Sequence, residues 1–329
     1  MSSSAPTASV EELGAGVVRI AMPFAGFDAG LNVHLVRGDG PLTLIDAAAA
    51  LPGVSRMLSG ALATLDLGYA DIEQVVLTHH HLDHIGLTGE IVAAGGARVV
   101  ANAAVTAVMA DPPAHFLGEL EWGSAAGRRH GAPDGLMDGA RAALPYTTAI
   151  PAVAVDQVVG DGERFVAGDL TLTTVLRPGH SPTDTLFVAE DAGWSFVGDH
   201  LWDGSPATPV LGSMSGERPA AEYVAGLART RELTDHRLLA GHGATVDDVA
   251  GLHDERLAGL EARIARVRSA LTDEPTPTWD LGGRIWRSPN PGFRAPARLS
   301  ALLGALELLV ARGEAVEEHD GDLVRWRRG

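Results

Sequence analysis

The chain has no cysteine, and all 25 of its basic residues are arginine, so it has no lysine either. The first absence excludes disulfides, a thiol nucleophile and a thiolate metal site. The second excludes a P-loop and Schiff-base chemistry. No apolar run approaches the ~20 residues of a membrane span, so no membrane contact is expected. The opening Ser2-Ser3-Ser4-Ala5-Pro6-Thr7 has neither a basic start nor an apolar stretch, which reads as a disordered tail over residues 1–12 and a cytoplasmic location. Positive charge is scarce. Residues 1–250 carry 13 arginines against 30 acidic residues, whereas residues 251–329 carry 12 of each. A phosphate backbone calls for a basic surface, so nucleic acid is an unfavoured partner and a small-molecule substrate is expected.

Histidine is concentrated where lysine and cysteine are missing. His79-His80-His81-Leu82-Asp83-His84 follows the apolar run Val75-Val76-Leu77 and reads as H-x-H-x-D-H at the end of a strand. Crowded imidazoles gain little from packing and repel each other once protonated. A divalent cation resolves the conflict, because neutral imidazole and carboxylate are its preferred ligands. One loop offers too few ligands, and three further strand ends supply more. Leu172–Leu176 leads to Pro178-Gly179-His180, Trp194–Val197 to Gly198-Asp199, and Leu238–Ala240 to Gly241-His242-Gly243. Each apolar run ends in Gly or Pro beside a ligand-type residue, as a sharp turn toward an ion requires.

This ordered set, with Asn32-Val33-His34-Leu35-Val36 and Leu42-Thr43-Leu44-Ile45-Asp46 before it, resembles the metallo-β-lactamase fold hydrolases over residues from about 13 to 250. The resemblance implies an α/β protein, an αββα sandwich of two mixed sheets flanked by helices, with the site at one edge. It also implies a binuclear centre in which His79, His81 and His180 hold one divalent ion, Asp83, His84 and His242 hold the second, and Asp199 bridges them. A mixed histidine and carboxylate shell suits zinc, with iron or manganese also compatible. Two such ions about 3.5 Å apart hold a bridging hydroxide at neutral pH, the expected nucleophile toward a carbonyl. Asp83 is placed to orient it or to move a proton to the leaving group. Asp46 is expected to hold a ligand imidazole from behind. His80 alternates away from the ligand set and reads as structural.

The substrate class is bounded by departures from the family. Asp199 is followed by His200-Leu201-Trp202 rather than the tyrosine of the acyl-homoserine-lactone lactonases, and no lysine is available to hold glutathione as in glyoxalase II. What remains is hydrolysis of an ester, thioester or lactone. An RNA phosphodiesterase of the same fold is the alternative, and a regulatory ligand-binding member a third.

The remaining organisation follows from periodicity. Val17–Met22, Leu31–Val36 and Leu42–Ile45 read as strands, Pro52–Leu65 as an amphipathic helix, and Ile72–Leu77 and Arg98–Val100 as strands. Residues 111–150 form a mostly helical insertion, expected to be a lid whose Phe116, Trp122, Met137 and Tyr146 shape an apolar acyl pocket with His200 and Trp202. Val155–Val159, Phe165–Val166, Leu170–Leu176, Thr185–Ala189 and Trp194–Val197 read as the second sheet, and Leu201–Ser215 as a loop. In residues 251–329, two apolar-striped helices precede a hairpin. This order resembles the winged-helix appendage of some hydrolases in the superfamily. Its zero net charge and Glu317-Glu318 favour packing or homodimerisation over DNA binding.

Overall fold

Alternation along each strand builds the layers. The protein is described by a computed structural model covering residues 7–24, 27–204, 209, 211–216, 218–233, 235–286 and 295–329. The first sheet has seven strands in sequence order, β1 Ser9–Gly14, β2 Val17–Phe24, β3 Phe27–Val36, β4 Thr43–Ile45, β5 Gln74–Val76, β6 Arg98–Asn102 and β7 Gln157–Val159. It is antiparallel from β1 to β4 and parallel from β4 to β7. Successive side chains face opposite ways. Ile45, Val76 and Val100 therefore enter the cluster between the sheets, while their neighbours Leu44, Val75 and Val99 pack on helices. Those helices include α1 Pro52–Ala63, which contributes Leu58 and Leu62, with α2 Leu82–Ile85 and α3 Thr88–Gly95 beyond it.

Between β6 and β7 lie α4 Ala103–Ala110 and then the insertion, as α5 Pro112–Arg129, α6 Asp138–Ala142 and α7 Leu144–Thr147. It carries the chain from β6 to a parallel neighbour, which needs a crossover rather than a hairpin. That corrects one expectation: Gln157–Val159 completes the first sheet instead of opening the second. The second sheet has five strands, β8 Arg164–Ala167, β9 Leu170–Leu176, β10 Thr185–Ala189, β11 Trp194–Gly198 and β12 Arg237–Ala240. α8 Ala220–Thr230 and α9 Val249–Ala270 cover its outer face through Tyr223, Leu227 and Val249. The αββα sandwich is thus present. A second correction concerns the tail. Residues 9–12 belong to β1, whose exposed side chains give little apolar signal but whose backbone pairs with β2 from Ser9 to Gly14; residues 1–6 lie outside the described residues. Part of the expected loop 201–215, at residues 205–208 and 210, lies outside them too.

The chain continues through β13 Thr276–Pro277, α10 Thr278–Ile285, α11 Ala295–Ala311, β14 Ala315–Asp320 and β15 Leu323–Arg328. The two helices and hairpin are as expected, and α10 was not anticipated. This unit packs on the rest of the molecule. Trp279 N donates to His130 O at 2.9 Å, Ala220 N and Ala221 N donate to Glu307 at 2.8 and 3.0 Å, and Leu136 of the insertion enters its core cluster. The boundary at residue 250 falls inside α9, whose Val249 packs on the second sheet and whose Ile264 and Val267 pack on the C-terminal helices.

One buried polar group between the sheets has a measurable consequence. His34 on β3 meets Phe196 edge to face at 5.6 Å, and its Nε2 is buried without a hydrogen-bond partner. Burial, with a smaller contribution from Arg19, lowers its pKa to about 3. A histidine depressed in the folded state contributes stability above its unfolded pKa of 6.5 that is lost as pH falls toward the folded value. Between pH 8 and pH 5 this one group costs about 2 kcal/mol. His34→Leu is expected to remove that share of the acid sensitivity, read as a flatter midpoint-versus-pH curve in urea denaturation. An unchanged pH slope contradicts the assignment.

Candidate metal centre

The ligands converge because four strands end at the same edge. β5 ends at Val76, and the chain then turns through Leu77–His81 into the single turn of α2, which carries Asp83 and His84. β11 and β12 run parallel with Gly198 beside Ala240, so Asp199 and His242 leave the second sheet together. Glycine is needed there. Gly198 adopts φ +51°, and a Cβ on Gly241 would collide with the His84 ring and lie 2.8 Å from Asp199 Oδ1.

All seven residues expected from the sequence meet. His81 Nδ1 lies 3.0 Å from both His79 Nε2 and His180 Nε2. His242 Nε2 lies 3.3 Å from Asp83 Oδ2, and His84 Nε2 lies 3.9 Å from Asp83 Oδ1. Asp199 stands between the groups. Its Oδ1 is 3.3 Å from His84 Nε2, and its Oδ2 is 3.2 Å from His242 Nε2 and 3.6 Å from His180 Nε2. The donor atoms fall into His79/His81/His180, His79/His84/Asp199 and Asp83/His84/His242, each set within 4.8 Å.

The chemistry of the set fits cations. Ligand atoms about 2.0–2.1 Å from a tetrahedral ion stand about 3.4 Å apart, close to the spacings observed. The hydrogen bonds behind the rings fix the tautomers. His84 Nδ1 donates to Asp46 Oδ2 at 2.8 Å and His242 Nδ1 donates to the Gly30 carbonyl at 2.6 Å, so each presents Nε2 to the centre. His79 Nδ1 lies 3.1 Å from Thr78 Oγ1, which itself contacts Asp46. His84 Nε2 and Asp199 Oδ1 face each other at 3.3 Å, buried and outside hydrogen-bond geometry, as two atoms aimed at one ion would be.

Charge is arranged to match. Burial, then the neighbouring imidazoles, holds His79 and His81 well below the ordinary histidine pKa, so both offer lone pairs. Burial acts the same way on His84 and His242 but is outweighed by the carboxylates: Asp199, Asp46 and Asp83 raise His84, and Asp199 and Asp83 push His242 up to about 10. Burial would raise Asp83 and Asp199, yet His84 and His242 hold both below the usual carboxylate range.

A cavity of about 360 Å³ adjoins this centre. His81, Phe116, Trp122, Met137, Leu211 and Leu299 are among the residues lining it, and none of its lining residues is cationic among those described. Glu119 of α5 ties the loop above it in place, accepting from Ser213 N at 3.0 Å and from the Ser213 hydroxyl. Of the residues expected in the pocket, Phe116, Trp122 and Met137 line this cavity. Three assignments are corrected. Tyr146 sits half-exposed on α7 and does not line the cavity. His200 is fully buried, bonded to Thr230 Oγ1 at 2.8 Å. Trp202 is buried against the His242 ring, with centroids 5.4 Å apart. The local cause is the turn after β11, which sends both residues inward under α8 and α9.

Comparison with known proteins agrees with the geometry. The sequence profile of the metallo-beta-lactamase superfamily matches residues 28–242. The chain belongs to the metallo-beta-lactamase superfamily. It is 27% identical over 266 residues to YqjP of Bacillus subtilis, described as "Probable metallo-hydrolase", covering 78% of this chain and 80% of that protein. The crystal structure of a metallo-beta-lactamase family protein from Thermus thermophilus superposes with a TM-score of 0.81 at 24% identity, over 97% of this chain and all of the other. A beta-lactamase domain protein from Burkholderia ambifaria gives 0.80 at 22% identity, over 98% and 94%. At those identities the two structures establish the fold. Membership of this superfamily supports a metal-dependent hydrolase.

Several residues of this superfamily member's site were not singled out from sequence. Thr78 donates from N and Oγ1 to Asp46, at 2.8 and 2.9–3.0 Å, and so aims the carboxylate at His84. Asn32 Nδ2 donates to the carbonyls of Ala240 and Gly243 at 3.0 and 2.9 Å and pins the loop that carries His242. Thr183 Oγ1 lies 2.8 Å from His80 Nδ1, which holds that ring apart from the ligand set. For Asn32 and Thr78 the available signal was a polar side chain inside an apolar strand or just past its end; Thr183, in the turn before β10, had none. Among the described residues, no helix is long and apolar enough to cross a membrane.

Proposed function

We propose that this hydrolase cleaves an ester, thioester or lactone whose acyl part is apolar and uncharged. The observation that carries the reading is the cavity that adjoins the ligand His81: it is lined by Phe116, Trp122, Met137 and Leu299, with no cation among its described residues. Two divalent ions, with zinc the first candidate, supply an activated water and positive charge for the developing oxyanion when bound. The chain's own residues do the rest. His79, His81 and His180, with Asp83, His84 and His242, hold the charge in place, and Asp199 links the two sets. Asp83, a quarter exposed at the edge of the centre and held ionised by His84 and His242, orients the attacking water through its carboxylate. Phe116 and Trp122 exclude water around the acyl group.

Turnover of acyl esters and thioesters of rising chain length, at two salt concentrations, tests this. kcat/KM should rise up to about fourfold per methylene until the cavity is full, with little effect of salt. Trp122→Ala should flatten the rise. A flat profile in the intact protein contradicts the apolar-acyl reading. Salt-sensitive cleavage of RNA puts the phosphodiesterase first. Metal-loaded protein that binds the series and turns over none is the ligand-binding member of the fold.

A further inference from the structure

The cavity has a direction. His115, Phe116, Glu119, Trp122, Gly123 and Ala126 all line it, and they recur along one face of α5. From His115 to Ala126 that face extends about 16 Å at helical rise. One end is at the metal loop, where the His115 and His80 rings meet edge to face at 5.2 Å beside His81. At the other end α5 passes Leu136 so closely that a Cβ on Gly127 would come within 2.5 Å of its Cδ2. Leu136 belongs to the same buried cluster as Leu299 of α11, and both line the cavity. The unit at residues 251–329 therefore supplies part of the wall of a channel that starts at the centre.

We propose that the substrate is an elongated acyl group lying along α5, with its carbonyl at the His81 end and its tail stopped by Leu136 and Leu299, so that α11 sets the longest chain accepted. This rests on the hydrolase reading for the placement of the carbonyl. It goes beyond that reading in assigning shape and length limit, and in giving the C-terminal unit a role in specificity. Ala126 is the small residue on the α5 face nearest the stop, and Leu299 is part of the stop itself. Enlarging the first shortens the channel, and trimming the second lengthens it.

The test uses full-length protein and two readouts. The first is kcat/KM for straight-chain acyl thioesters of two to fourteen carbons with metal-loaded enzyme. The second is displacement of Nile red from metal-free protein by neutral n-alkanols of four to fourteen carbons. The intact protein should show one length optimum in both. Ala126→Leu should move it at least two carbons shorter and reduce kcat/KM at the original optimum tenfold or more. Leu299→Ala should move it at least two carbons longer, and the opposite directions distinguish a length gauge from damage to the fold. An optimum that stays in place in both variants overturns the proposal, as does a displacement profile with no optimum. If the displacement optimum shifts as stated but neither the thioesters nor the matching esters and lactones are cleaved, the channel stands and the hydrolase reading falls. If thioesters are cleaved without any length optimum, hydrolysis stands and the channel falls.

Discussion

Asp199→Ala is expected to lower kcat/KM by at least a thousandfold while leaving the sandwich folded. Asp199 reaches both sets: its Oδ1 faces His84, and its Oδ2 faces His242 of the same set and His180 of the other. Removing it takes away a ligand from both proposed ions and unbalances their charge. The stabilisation it gives to protonated His84 and His242 also disappears, so both histidines titrate lower in the variant. Fold stability should suffer less than activity, because Asp199 follows β11 rather than lying within its ladder. The comparison is Asp46→Asn. Asp46 adopts φ +61°, which asparagine tolerates, and its Oδ1 role toward Thr78 survives the change. The altered atom is Oδ2, which accepts from His84 Nδ1 and from Thr78 Oγ1, and a loss of about 10–100-fold is expected. Kinetics with metal content and far-UV circular dichroism check both variants. Near-normal turnover in Asp199→Ala would refute the ligand assignment.

The convergence of the seven candidate ligands was legible because each follows an apolar run, and strand ends at one edge of a sandwich must converge. Chemistry written at element ends survives without knowledge of the packing. The same logic failed where the signal lay in the crossover. Gln157–Val159 has the composition of any buried strand, and only the parallel path from β6 through the insertion decides which sheet receives it. β1 was hidden for the opposite reason, since its side chains are mostly exposed and only Val10 and Leu13 pack on the core, so the backbone ladder does most to define it.

The pocket was half legible. Phe116, Trp122 and Met137 announced themselves as apolar residues in a segment the sandwich does not require, and they line the cavity. Tyr146 has the same composition signal but sits on α7 facing outward. His200 and Trp202 were assigned from proximity in sequence to Asp199, yet Gly198 at φ +51° and the turn after it direct them into the core. Leu299 and Ser300, more than 200 positions from His81, had no local signal at all. Their place in the wall depends on how the C-terminal unit docks on Leu136, and that docking is a tertiary fact.

The second large effect is that of the metals. Protein purified without chelator is expected to carry close to two equivalents of divalent metal, mainly zinc, and to lose its activity on chelation. The sign of the pH dependence follows from the metal-free centre. His242 there titrates at about 10 and His84 also well above the ordinary value, so at neutral pH both hold protons against Asp83 and Asp199. A group raised in this way contributes stability that is complete below its unfolded pKa of 6.5 and is lost as pH rises through the folded value. The metal-free protein should therefore lose stability between about pH 6.5 and 10, a loss the metal-loaded protein escapes. Loading must expel those protons, so affinity weakens as pH falls, and metal should dissociate first on the acid side. At free metal a thousandfold above its dissociation constant the folded state gains about 4 kcal/mol, which for a chain of this size is several degrees in Tm. Elemental analysis and thermal melts from pH 5 to 10, with and without chelator, measure all of this. Full activity with one equivalent or none, or a chelated protein whose Tm and turnover match the loaded one, would remove the binuclear assignment and leave the seven side chains as a self-compensating cluster of charge.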